Sequence, residues 1–442
     1  MIDKEIARRA WSIAWPLMLA DSIDAILWIT DTFFVSRLGD TSLAAVGLAG
    51  YLSWLFFIGS TMFLMGTLVL ASQAYGARNY EAASRVTSES LVANTALASA
   101  VSVLGFYIVE DLLRLLGGSE GVVREGSQYF RVRVIGLPLL YASMVYDSAY
   151  RAVGLTRPVL YSTIAAALAN AALDPLLIFG LGPFPELGVR GAALASVVAS
   201  GIQLVLLTYF SSLLPFPVRP RIPRGWATRS AKIGLPSLLE RLVFVGGNVV
   251  YVGSVAMCGE APLAAHTIGV RVESLAFLPM FSIATAAGAM VGQEIGAGRL
   301  AEAKRIGWEV SKANALFGAV VGGSLVAFSP VIPGAFTGTE EVARLATLYL
   351  IIAGLTEPAF GFAVGLAQSI RGAGNTMAPT IINLGSLYAL RLAPSYSLPS
   401  ILPNSLCVLG PWISMGVDLA SRALLFSFIY RRLFERLARK LV

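Results

Sequence analysis

The sequence predicts an all-α polytopic membrane protein of twelve transmembrane helices in two pseudo-symmetric six-helix lobes. Three observations carry that prediction. Of the 442 residues, 56% are hydrophobic and only 13% charged, where soluble domains carry about 25% charged residues, so too few charges remain to cover a water-exposed surface. Apolar runs extend from end to end at a mean hydropathy of +0.72. The two halves also match at one constant shift of 220 residues, which carries Pro16 onto Pro236.

A helix needs about 20 apolar residues to cross the hydrocarbon core. Twelve stretches qualify: 12–34, 42–74, 86–109, 128–150, 158–181, 189–214, 231–257, 263–293, 307–332, 342–368, 377–394 and 405–430. Pro394, Pro399 and Pro403 cluster where the eleventh should end, and a helix interior tolerates proline poorly, so its ends stay open. The opening, MIDKEIARRAWSIAWPLMLA, has a charged start and an apolar run but no small-residue cleavage site, and reads as a retained first helix.

The net charge of +7, from 33 Lys+Arg against 26 Asp+Glu, is distributed as a topology signal rather than a nucleic-acid footprint. Alternate connections are basic: Arg8 and Arg9 before span one, Arg78 and Arg85 after two, Arg151 and Arg157 after four, and Arg219, Arg221, Arg224, Arg229 and Lys232 after six. The pattern continues with Arg299, Lys304, Arg305 and Lys312 after span eight, Arg371 after ten, and Arg431, Arg432, Arg436, Arg439 and Lys440 at the end. The intervening loops are acidic or neutral. Positive loops stay cytoplasmic, so both termini are expected inside, in the plasma membrane. Cys258 and Cys407 match no metal or redox spacing, and no disulfide framework is expected.

The repeat is dense. LAA at 43–45 matches LAA at 263–265, SQAYGA at 72–77 matches GQEIGA at 292–297, Arg85 matches Arg305, Pro138 matches Pro358, and RAVGLT at 151–156 matches RGAGNT at 371–376. Six spans per half is an even number, so both halves enter from the same side as a parallel repeat, with substrate expected near mid-membrane at the repeat interface. The expected organisation is a first lobe at 1–212, a proline-rich basic cytoplasmic linker at 213–230 and a second lobe at 231–442.

DTFFVSRLGD (31–40), LAAVGL (43–48), SQAYGA, RAVGLTRP, NAALDPLLIFG (170–180), GVRGAALAS (188–196) and LAAHTIG (263–269) together resemble the multidrug and toxic compound extrusion (MATE) transporters, over essentially the whole chain. The resemblance implies efflux of organic, often cationic compounds driven by inward Na⁺ or H⁺, with no cofactor beyond the coupling ion.

Ionisable groups inside spans are costly and are functional candidates by default. The first lobe has Asp21, Asp24 and Asp31 in span one, Asp147 in span four and Asp174 in span five. From the cytoplasmic arginines, Asp31 and Asp174 lie roughly 33 Å and 25 Å along their helices, and Asn170 is one turn from Asp174. Asp31, Asn170, Asp174 and Ser196 are thereby expected at one level, where two carboxylates with amide and hydroxyl oxygens suit Na⁺ or proton exchange. The resemblance implies the same set: Asp31, Asn170 and Asp174 match cation-coupling positions of the archaeal and DinF-like branch, and Ser196 stands where that branch usually has threonine. It also implies a conformational role for Pro16, in a proline-bent first helix. Asp24 and Asp147 are secondary candidates: Asp24 lines the cavity and binds cations or only tunes Asp31, while Asp147, like Asp21, has solvation in the cavity as its alternative role.

The second lobe lacks the site, because the shift carries Asp31 onto Tyr251 and Asp174 onto Pro394. Glu240, Arg241, Arg271, Glu273 and Asp418 read as a mutually neutralising set, with Glu240 and Glu273 kept as secondary cation candidates, since another branch uses acids in its seventh, eighth and tenth spans. The lone His266 reads as structural. Trp28, Trp54, Phe57, Met62, Met144, Tyr146, Phe244, Tyr251, Phe277 and Met280 are available to line a cavity for flat cations. The expected function is a monomeric antiporter of small organic substrates; a lipid or lipid-linked oligosaccharide flippase of the same superfamily is the alternative, wanting a basic cavity. A membrane enzyme is disfavoured, since no nucleophile, metal or paired-histidine constellation occurs.

Overall fold

In lipid every backbone polar group must be satisfied within the chain, which leaves helices as the natural spanning element for an apolar sequence of this kind. The computed structural model describes residues 3–403 and 406–442, and every regular element among them is helical. The first repeat runs α1 (Lys4–Ser36), α2 (Asp40–Ile58) with α3 (Thr61–Gly76), α4 (Tyr80–Leu115), α5 (Glu120–Ile135) with α6 (Leu137–Val153), α7 (Arg157–Phe179) and α8 (Val189–Phe210). The second runs α9 (Trp226–Ala256), α10 (Glu260–Gly296), α11 (Leu300–Phe328), α12 (Glu340–Gly372), α13 (Met377–Ser386) with α14 (Ala393–Ser397), and α15 (Leu409–Leu437). Counting α2–α3, α5–α6 and α13–α14 as one crossing each gives the twelve spans.

Ten of these stretches are long and apolar enough to cross alone. The other two are interrupted. Gly136 and Pro138 divide the fourth span, and a π-helical stretch at Leu387–Leu392 divides the eleventh. Beyond that turn the eleventh helix continues past Pro394 to Ser397, which fixes the end that its prolines leave open in the sequence.

The shift of 220 governs the architecture element by element. Helices beginning at 40, 80, 120, 157 and 189 have counterparts beginning at 260, 300, 340, 377 and 409. Matching turns share backbone conformation: Gly39 and Gly259 have φ of 113° and 114°, and Gly154 and Gly374 of 83° and 91°. Among the described residues Arg78 is the one non-glycine with positive φ, at 56°, and its counterpart is Gly298 at 76°, a conformation that costs a side chain about 1–2 kcal/mol. Long-range bonds repeat too. Asn94 donates to the Tyr141 carbonyl at 2.9 Å and Asn314 to that of Gly361 at 2.8 Å.

By contacts the chain forms two compact units, one of residues up to Trp15 with Leu235–Val442 and one of Pro16–Gly234. These bounds differ from the sequence-based lobes, because the opening turns of α1 and α9 each belong with the other repeat's helices. α9 enters its unit through close backbone approach: a Cβ on Gly234 would stand 1.7 Å from the Met62 carbonyl oxygen, and one on Gly66 2.0 Å from that of Ser230. The Pro16–Gly234 unit is centred on Val35, Val109, Phe130, Ile178 and Ala193, and the other on Val255, Tyr349, Leu387 and Trp412. Outward faces stay apolar, with Leu104, Tyr107, Val320 and Leu424 mostly exposed. So much exposed apolar surface demands a lipid solvent.

Cys258 and Cys407 overturn the expectation of no disulfide. They are bonded, with Cα atoms 5.6 Å apart across 149 residues of chain. The end of α9 and the turn before α15 converge there, a proximity that sequence spacing does not reveal.

Candidate functional site

Four side chains from three helices meet inside the Pro16–Gly234 unit. α7 places Asn170 and Asp174 one turn apart on one face, and Asn170 Nδ2 donates to Asp174 Oδ1 at 3.1 Å. α8 supplies Ser196, whose hydroxyl is 3.4 Å from Asp31 Oδ2 on α1 and 3.2 Å from the Ala192 carbonyl. The carboxyl groups of Asp31 and Asp174 are near enough for each to lie in the other's field. All four residues named from the sequence are therefore together, with Asp174 and Asn170 buried.

Three oxygens there, Asp31 Oδ1, Asp174 Oδ2 and Asn170 Oδ1, are buried without a hydrogen-bond partner. An unpartnered buried acceptor costs about 1–3 kcal/mol, and facing carboxylates add repulsion. A shared proton relieves both penalties, and so does a hard cation, which prefers oxygen ligands. The donor set fits either.

Two neighbours escaped the sequence reading. Tyr129 and Arg133, one turn apart on α5, interact electrostatically with the acids. Trp28, Asp31, Trp54, Phe57, Tyr129 and Arg133 line a cavity of about 200 Å³. Arg133 makes no salt bridge among the described residues. An arginine in an outer-half span was visible in the sequence, but only the cavity it shares with Asp31 shows what it faces. Of the proposed aromatic liners, Trp28, Trp54 and Phe57 face this cavity, while Tyr251 and Met280 are buried.

The secondary acids have partners. Arg151 Nε lies 2.8 Å from both Asp147 oxygens, and Arg151 is 4.0 Å from Asp21; Asp24 lies in the field of all three. Glu240 accepts from Arg371 at 2.7 Å, Thr380 at 2.7 Å and Asn383 at 2.8 Å. Glu273 accepts from the Tyr349 hydroxyl at 2.5 Å. Asp418 is held by Arg391 at 2.8 Å and Arg422 at 2.7 Å. Neutralisation of this lobe thus falls to Arg371, Arg391 and Arg422, whereas Arg241 and Arg271, named for it from the sequence, make no salt bridge among the described residues. His266 packs edge-on between the rings of Tyr251 and Tyr349. At the repeat counterparts, the Tyr251 hydroxyl donates to the Pro411 carbonyl, so no acid pair is rebuilt. Glu357, on α12 beside Gly318 and Gly322, is buried with neither carboxyl oxygen partnered.

Comparison with known proteins identifies the family and the fold. The chain is 27% identical over 430 residues to the probable multidrug resistance protein NorM of Thermotoga maritima, covering 95% of this chain and 91% of that protein. It is 28% identical to the FAD transporter of Shewanella oneidensis, covering 82% of each. Among solved structures, an outward-facing multidrug resistance MATE family transporter superposes with a TM-score of 0.89 at 20% identity, over 98% of this chain and 96% of that one. The MATE transporter of Vibrio cholerae in its bent form gives 0.90 at 19% identity over 98% of each. These folds have the same two six-helix lobes. The MatE family profile matches twice, at residues 16–176 and 236–397, in the register of the internal repeat, and the chain belongs to the MatE family of membrane transporters.

Proposed function

We propose that this transporter is a secondary active multidrug efflux antiporter. It exports organic, cationic amphipathic compounds and takes up H⁺ or Na⁺ in exchange, the ion being held by Asp31, Asn170, Asp174 and Ser196. The observation that carries this reading is the trio of unpartnered buried oxygens on two neighbouring acids and an amide. Loading the trio with a proton or cation removes a standing penalty, and a cationic substrate competes for the same negative field. Relatives named for multidrug resistance support efflux over lipid flipping.

A plasma-membrane location with cytoplasmic termini and a monomeric state belong to the same reading. The Cys258–Cys407 bond supports the orientation, because both cysteines lie in connections opposite the basic ones and disulfides persist in oxidising compartments. Arg133 favours a second reading of the substrate, one bearing an anionic group as well, and the FAD transporter relative points the same way.

Proteoliposomes loaded with a fluorescent organic cation test the proposal. Uphill movement is expected under an imposed pH gradient in Na⁺-free buffer or under a Na⁺ gradient at equal pH, abolished by the matching ionophore. No uphill movement under either gradient refutes it. If an aromatic acid is moved and the cation is not, with Arg133→Ala abolishing that movement, the second reading replaces the first.

A further inference from the structure

The starts of α1 and α9 are held in matching ways. Glu89, buried on α4, accepts through one oxygen from four consecutive backbone N–H groups, Arg224 at 2.9 Å, Gly225 at 3.1 Å, Trp226 at 2.9 Å and Ala227 at 3.2 Å. These are the unsatisfied donors at the N-terminus of α9, where a negative charge is most stabilising. Ser88 accepts from the Arg219 N–H at 3.1 Å, and Ser84 donates to the Pro217 carbonyl. The face of α4 thereby seats the whole inter-repeat segment.

The shift of 220 carries Glu89 onto Glu309 of α11. Glu309 accepts from the Asp3 N–H at 3.0 Å. Asp3 caps α1, accepting from the N–H groups of Glu5 and Ile6, and is paired with Arg305. Arg9, two turns on, donates to Gln293 at 2.7 Å. The helices so held leave their units after Trp15 and Gly234, beside Pro16 and Pro236, where a missing backbone bond permits bending.

We propose that Glu89 and Glu309 are repeat-related positioning residues that pin the first turns of α9 and α1, so that each helix bends at its proline during transport instead of shifting along its axis. The two pins differ in consequence. α1 carries Asp31 beyond its proline, whereas α9 carries Tyr251 at that place. Glu309 therefore fixes one end of the helix that bears the coupling ion and governs coupling, while Glu89 governs turnover. This assignment rests on the antiport reading.

Hydrogen exchange and transport are measured on the full-length protein. In Glu89→Ala the amides of 224–227 should exchange at least tenfold faster than in the wild type, and in Glu309→Ala those opening α1 should do so. In Glu89→Gln and Glu309→Gln exchange should return to within threefold, because the amide oxygen still accepts. Transport should fall at least tenfold in both alanine variants with substrate affinity within twofold, and the ratio of ions to substrate moved should change in Glu309→Ala alone. Unchanged exchange, glutamine variants as defective as alanine, or transport within twofold of wild type in the alanine variants overturns the pinning. If the wild type moves no substrate, the antiport reading has failed, and the exchange results still decide the pin.

Discussion

Asp174→Asn is the sharpest test of the cation site. The substitution keeps shape and the bond from Asn170 but replaces a carboxyl oxygen with an amide N–H. Asp174 Oδ2 and Asp31 Oδ1 are both without donors, so a nitrogen at the former position donates to Asp31, imitating the ion-loaded state permanently. A hydrogen bond to a charged acceptor is worth about 1.5–3 kcal/mol, which is roughly a 10- to 150-fold bias towards the loaded arrangement. Gradient-driven efflux of a fluorescent cation from proteoliposomes should fall by that factor and lose its dependence on the driving ion. Folding should be preserved, as judged by melting temperature. Efflux within twofold of the wild type, still driven by the gradient, would refute the argument that these two oxygens hold the ion.

Breaking the disulfide by Cys258→Ser with Cys407→Ser releases a loop of 149 residues, for which chain entropy gives an upper bound of about 5 kcal/mol. The melting temperature should drop by up to about 5 °C, and no drop at all would mean the bond does not constrain the chain. Before reduction, a membrane-impermeant maleimide should find no thiol. After reduction it should label from the outside only, and labelling from the cytoplasmic side would reverse the proposed topology. Gly234→Ala forces a Cβ onto the Met62 backbone and should cost about 1–3 kcal/mol or more. Gly246→Ala, on the same helix with open space around it, should be neutral or gain up to about 1 kcal/mol; equal effects of the two in thermal unfolding would remove the claim of close approach. The Arg133→Ala variant should leave efflux of a simple cation within threefold while weakening a zwitterionic aromatic substrate at least tenfold, measured as competing inhibition.

Much of this arrangement is legible in the sequence because membrane burial leaves few places for charge. Asp31 and Asp174 stand out as acids in apolar runs, and helical rise alone puts them level with Ser196. The repeat is legible because paired glycines and prolines sit at turns whose backbone geometry recurs. Pairing is less legible. Whether Glu240 bonds Arg241 or Arg371 depends on tertiary packing, and the structure pairs it with Arg371 while Arg241 only lies in its field. The convergence of Cys258 with Cys407 is tertiary in the same sense. The Glu89 and Glu309 identity was available from the shift of 220, but its meaning needs the helix starts docked beneath it, and the exchange of the opening turns of α1 and α9 between units has no local signature.

The wide turn at Leu387–Leu392 decides what the second half can present beyond it. A π turn spends an additional residue, so side chains after it are rotated by about 100° from where an unbroken α-helix would aim them. An aspartate placed at Pro394 would consequently present its carboxyl to a different neighbour from the one Asp174 meets. A carboxyl at that place would therefore not by itself rebuild, in the second half, the company that Asp174 keeps with Asn170.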